Sequence, residues 1–201
     1  MKETIMDGTT DTTAPPRTPR TPRLAELVAD DVDRRATQLL LEHAELVASW
    51  TGGTADVAPQ ATQLSVGDLC RYAQRGEVWP PTVAGATLAG ETVAACAGAL
   101  CGAPLRRWTP DEIDCLPREG LDPVLIVLAA AWTRAQIVRG EDVTLTALAR
   151  LASLSRQRLE QLAAEGAIAI TRGRGRVATT VTAAEARRWL AATGAPGWEA
   201  P

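Results

Sequence analysis

Phenylalanine is missing from this chain of 201 residues, and tyrosine and histidine occur once each, as Tyr72 and His43. Six tryptophans (Trp50, Trp79, Trp108, Trp132, Trp189 and Trp198) are therefore the large aromatic groups around which a core can pack. One histidine hardly supplies the ligands of a zinc site. His43 has no serine or cysteine motif beside it and reads as a packing residue. Long apolar runs are lacking too. The longest, Val124 to Trp132, is about half of the ~20 residues that cross a bilayer. No apolar signal-peptide core stands at the N-terminus, so the expectation is a soluble, cytoplasmic protein without membrane contact.

Cysteine is sparse and shows no CxxC spacing. On a helix, Cys96 and Cys101 point ~140° apart, and Cys70 and Cys115 stand alone, which favours buried thiols over a disulfide framework or a zinc site. The glycine-rich "RGRG" lacks the GK[ST] of a phosphate loop and the GxGxxG of a dinucleotide site. Asp30 with Asp31, and Asp111 with Glu112, suit the first turns of helices better than acid–base work. The expectation is no enzyme, no cofactor and no metal.

What is present is a charge asymmetry. Residues 1–23 carry a net +1, residues 24–140 a net −6 and residues 141–201 a net +2. Between Thr144 and Arg188, eight arginines face only Glu160, Glu165 and Glu185. An acidic body with one basic module is suited to meeting a polyanion locally while staying soluble.

Organisation follows composition. Residues 1–23, with seven threonines, four prolines and the near-repeat "PRTPRTPR", cannot bury enough surface to order themselves and form a basic, disordered arm. Residues 24–140 read as a helical body. In it Leu24 to Trp50 forms a long, interruptible helix with a seam of Val32, Ala36, Leu39, His43, Leu46 and Trp50. "TGGTADVAPQ" reads as a linker. Ser65 and Gly76 bound a short helix, Thr87 to Leu100 forms a small-residue helix, and Thr109 to Glu112 form a capping box. Asp122 and Pro123 open a helix through Arg139, closed by Gly140; apolar all round in its first half, it is a buried central helix or an oligomer interface.

The last part carries the chemistry. Thr144 caps a helix with Leu145, Leu148, Ala149 and Ala152 inward, "SLS" turns the chain, and Ser155 caps a second helix ending at Gly166. Two helices joined so closely cross steeply, as in a helix-turn-helix. Leu159, Leu162 and Ala163 bury one face of the second helix, leaving Arg156, Gln157, Glu160 and Gln161 outside with Arg158 at the flank. Arg and Gln suit guanine and adenine edges. "AIAIT" and "RVATTV" then read as a hairpin turned at Gly173 to Gly175, with Arg172, Arg174 and Arg176 projecting to one side, and Thr182 with Glu185 forms a capping box for a final helix.

Over residues 143–193, "TLTALARLASLSRQRL", the glycine-turned hairpin and "EARRWL" resemble the winged helix-turn-helix domains of the MerR and excisionase type. The resemblance spans about a quarter of the chain, and departs from the family at Ser153, where that turn usually holds glycine. It implies major-groove contacts by Ser155, Arg156, Gln157, Arg158 and Gln161, and backbone or minor-groove contacts by Arg172, Arg174 and Arg176.

The fold class expected is mainly α, a helical N-terminal body (24–140) with a C-terminal winged helix-turn-helix (141–194) carrying a short β-hairpin and a flexible tail at 195–201. The expected function is sequence-specific binding of double-stranded DNA, as a transcriptional regulator or mobile-element accessory factor. The chain is also expected to form a homo-oligomer through Val32–Trp50, Val124–Trp132 or both. The alternative is a winged-helix protein used for protein–protein assembly without DNA binding.

Overall fold

A computed structural model describes residues 22–51, 66–101, 122–173 and 178–199 of the chain. Among the described residues the protein is mainly helical, with seven α-helices and one two-stranded antiparallel sheet. Outside them lie the N-terminal arm to residue 21, Ser65, Thr109 to Glu112, Cys115, the linker from residue 52, Arg174 and Arg176, together with the side chains of His43, Leu46, Val47, Trp50 and Cys101.

The centre of the fold is the helix Pro123–Arg139, and its bounds are written locally in the sequence. Asp122 accepts from the Val124 amide at 3.0 Å, Pro123 occupies the first turn, and Gly140 takes φ 85° to end the helix. Because this helix is apolar on every side in its first half, that half is enclosed rather than amphipathic. Val124 and every side chain from Ile126 to Ala131 are buried within the chain's own core. Of this stretch only Leu125 and Trp132 keep partial exposure, so most of its apolar surface is met inside the chain, as for a buried central helix.

Three helices wrap it: α1 (Ala29–Thr51), α2 (Val66–Arg75) and α3 (Val83–Cys101), the central helix being α4. A separate 3-10 turn, Leu24–Glu26, precedes α1, and Leu27 is extended between them, so the long N-terminal helix is interrupted. Gln74 ties this entry down by donating to the carbonyls of Leu24 and Leu27 at 2.7 and 2.8 Å. In α1, Val32, Ala36 and Leu40 are buried against the same chain, so this part of the seam finds its partner internally. Helices α1 and α2 approach where Gly67 donates its amide to Asp33 at 2.5 Å; an added Cβ there would meet the Asp33 carboxylate. Burial pushes the Asp33 carboxyl above its ordinary value. Cys70 and Cys96 are buried free thiols, each raised to about 11 by desolvation.

The C-terminal part adds β1 (Val143–Thr144), α5 (Leu145–Leu151), α6 (Arg156–Ala164), β2 (Thr180–Val181) and α7 (Ala183–Ala192). β1 pairs with β2, Val143 opposite Val181 and Thr144 opposite Thr180. Of the anticipated hairpin between residues 167–171 and 176–181, whose turn lies outside the described residues, one antiparallel bridge is formed, in which the Thr171 and Thr180 amides each donate to the other's carbonyl at 2.8 and 2.9 Å. The competing partner is Glu185: its carboxylate accepts from Ala169 N at 2.7 Å, drawing that segment to α7 instead of a ladder. The Thr182 capping box is accordingly half made, since Thr182 accepts from Glu185 N at 3.3 Å while the Glu185 side chain serves Ala169 and Arg188.

Residues 195–199 are not a free tail. Arg134, deep in α4, donates to the carbonyls of Pro196 and Gly197 and lies 4.5 Å from the Trp198 ring, pinning the segment to the body. Among the described residues no helix is long and apolar enough to cross a membrane.

Candidate nucleic-acid interface

Three hydroxyls set the geometry of the C-terminal helices. Thr144 accepts from Ala147 N at 3.1 Å, Ser155 from Arg158 N at 3.1 Å, and Thr182 from Glu185 N at 3.3 Å, each starting a helix where its sequence position indicated. Helix α5 buries Leu145, Leu148 and Ala149 against α4. It ends in a turn where Ser153 adopts φ 55°, the left-handed conformation glycine would supply without strain. Leu154 N returns to Ala149 O at 2.8 Å, and the chain restarts as α6.

On α6, Leu159 is fully buried, which fixes the helix's rotation. Arg156, Gln157, Arg158, Glu160 and Gln161 are all exposed, as the spacing of the apolar positions demands. The basic side chains do not stand free. Arg156 donates to Glu160 at 2.8 Å, and Arg158 lies 3.6 Å from Glu165 and 3.4 Å from the Gln161 amide oxygen. Both ion pairs are about half-exposed, and pairs of that kind contribute only ~0.3–0.5 kcal/mol, so an incoming phosphate can replace the carboxylate. Ser155 retains its hydroxyl proton as a donor while its oxygen serves as cap.

The loop that follows is anchored by Thr171 and Thr180, and β1 flanks Thr180 on its other side, with Leu145 N donating to Thr179 O at 2.9 Å. Arg172 leaves this base exposed and makes no ion pair among the described residues. It shares a cleft of about 340 Å³ with Glu160, Ile170, Gly173 and Thr179. The structure therefore brings Arg172 to the face of α6 that carries Arg156 and Glu160; Arg174 and Arg176 lie outside the described residues.

Two further arginines of the basic stretch have other work. Arg187 donates to the last carbonyls of α4, Ile137 and Val138, at 3.2 and 2.6 Å, and Arg188 binds Glu185 and the Ala167 carbonyl. The cations available on the α6 side are correspondingly fewer than the sequence count implies.

One neighbour was invisible to local pattern. Ala25 N donates to the Ser153 hydroxyl at 3.3 Å, across 128 positions, which seats the 3-10 turn on the α5–α6 corner. Arg23 in consequence shares a second cleft, also about 340 Å³, with Ser155 and Arg156. No sequence spacing announces a contact at such separation. Compared with protein-family models, curated proteins and solved structures, the chain matches none.

Proposed function

We propose that residues 143–193 form a winged helix-turn-helix that binds double-stranded DNA, with α6 entering the major groove and the loop after Thr171 lying along the adjacent backbone. The observation that carries this reading is the cleft that Arg172 shares with Glu160 on the outer face of α6, where Arg156 is paired with that carboxylate, so that the loop and the exposed helix face adjoin. Gln157, Gln161 and Arg156 in the first turns are the side chains able to make paired hydrogen bonds with base edges. Phosphate is favoured near the α6 N-terminus by its unshared amides and by Arg23 beside Ser155. The role is transcriptional regulation or a related function at mobile DNA.

The test is fluorescence anisotropy of the full chain with a random duplex at low salt, followed by selection of a preferred sequence. Salt-sensitive binding supports the reading. On the selected site, Arg156→Ala or Gln157→Ala should cost ~1–3 kcal/mol, and far less on random duplex. Binding that is absent at low salt rejects it and leaves the assembly reading, which the Arg156–Glu160 and Arg158–Glu165 pairs favour by lowering the free charge of α6.

A further inference from the structure

A second cationic site lies away from that face. A cavity of about 550 Å³ opens between α2, α4, α7 and the C-terminal segment, a size usual for small-ligand sites. It shares no lining residue with the two clefts that hold Arg23 and Arg172, and meets a third, lined by Arg158 and Leu162 of α6, at Arg75, Arg134 and Trp198. Its wall carries Arg75, Arg134, Arg187 and Arg188 with one carboxylate, Glu199; Arg75 pairs with Glu77 and Arg188 with Glu185, and Trp198 and Pro81 supply apolar surface.

Arg134 is the decisive residue. It is 3% exposed, yet among the described residues no carboxylate pairs with it. Three of its five N–H groups go to the carbonyls of Ala73, Gly197 and Pro196, at 3.2, 3.2 and 2.9 Å, and two keep no acceptor. The contrast with Arg35, held by Asp122 at 2.7 Å, and Arg139, held by Glu141 at 2.7 Å, is direct. A buried cation without a counter-charge is costly, and burial lowers the Arg134 guanidinium to about 10. It remains charged at neutral pH. Arg187 likewise donates only to carbonyls, those of Ile137 and Val138. Tyr72 is 2% exposed, its ring centroid lies 6.0 Å from the Arg134 guanidinium carbon, and its buried hydroxyl has no hydrogen-bond partner. Uncompensated positive charge and an unused donor meet at one apolar-walled cavity.

We infer that this cavity binds a small organic anion, whose carboxylate or phosphate is held by Arg134, Arg187 and the Tyr72 hydroxyl and whose apolar body packs against Trp198 and Pro81. The inference does not rest on DNA binding, because none of Arg134, Arg187 and Tyr72 is among the side chains assigned to the duplex.

Calorimetric titration of the full chain with benzoate, phenyl phosphate and neutral benzyl alcohol tests it. The expected result is one saturable site per chain for one or both anions, with benzyl alcohol at least ~10-fold weaker, the scale of one charge-assisted hydrogen bond. Tyr72→Phe should weaken anion binding ~10-fold while leaving the melting temperature unchanged, since the hydroxyl it removes has no protein partner. Arg187→Gln should also weaken it. No saturation by either anion up to about 10 mM, where even a ligand with Kd near 1 mM is mostly bound, overturns the inference. Equal binding of the neutral alcohol, or undiminished anion binding by both variants, overturns it as well.

Discussion

Arg156 Nε and Glu160 Oε1 lie 2.8 Å apart, four positions along α6, on the exposed face that a duplex would have to meet. The pair keeps one cation occupied and puts one anion into the cleft with Arg172. Glu160→Gln frees Arg156 without removing an acceptor. The account expects tighter binding to random duplex and a logarithmic salt slope steeper by ~0.9, the value for one further phosphate contact. Titrations of wild type and variant across a salt series measure it, and an unchanged slope places α6 away from the phosphates.

Arg23 reaches the same region from the other end of the chain, beside Ser155 and Arg156. Replacing it by alanine should make the salt slope shallower by ~0.9 and leave preference among DNA sequences intact, since it serves the backbone. A change in preferred sequence instead would move Arg23 from the phosphates to the bases.

Ser153 holds a left-handed backbone at φ 55° and also receives the Ala25 amide. These two roles pull substitutions in opposite directions. Ser153→Gly relieves a backbone cost of ~1–2 kcal/mol and loses a long, exposed hydrogen bond worth ~0.5 kcal/mol, so it should stabilise the fold by ~0.5–1.5 kcal/mol. Ser153→Ala loses the hydrogen bond and keeps the strain, and should be less stable than wild type by ~0.5 kcal/mol. Chemical denaturation of the three proteins gives the order; an alanine variant as stable as wild type would remove the Ala25 contact from the account.

Acid should loosen the junction between residues 167–169 and α7. The Arg188 guanidinium, and after it the Ala169 amide, hold the Glu185 carboxyl below its ordinary value of 4.5, against the effect of partial burial. A depressed folded-state pKa means that the stabilisation is complete above about 4.5 and disappears as pH falls through the folded-state value. Asp33 runs the other way, because burial raises its carboxyl and protonation there favours the fold. The informative quantity is therefore the difference between wild type and Glu185→Gln. Their melting temperatures should diverge at neutral pH and converge as the solution is acidified below 4.5. A constant gap would deny Glu185 its bridging role.

Much of this was legible because it is encoded locally. Asp122 and Pro123 mark the start of α4 and Gly140 its end, and Thr144, Ser155 and Thr182 each satisfy an amide three positions on. The rotation of α6 followed from Leu159. Features built across long separations left no such trace. β1 and β2 are two residues each and 36 positions apart, and Thr144 serves as strand and helix cap together. The alternation in "AIAIT" suggested a strand because nothing in it reveals that Glu185 takes the Ala169 amide. Arg134 is buried on carbonyls contributed by residues more than 60 positions away, a setting no local pattern shows.

The central claim is that α6 and the arginine loop meet one polyanion together. Its most direct test is the salt dependence of duplex binding for the full chain against a variant with Arg172, Arg174 and Arg176 all changed to alanine. The account predicts salt-sensitive wild-type binding and a slope reduced by ~2.7 in the variant, at ~0.9 per phosphate contact. Equal slopes for the two proteins would contradict it.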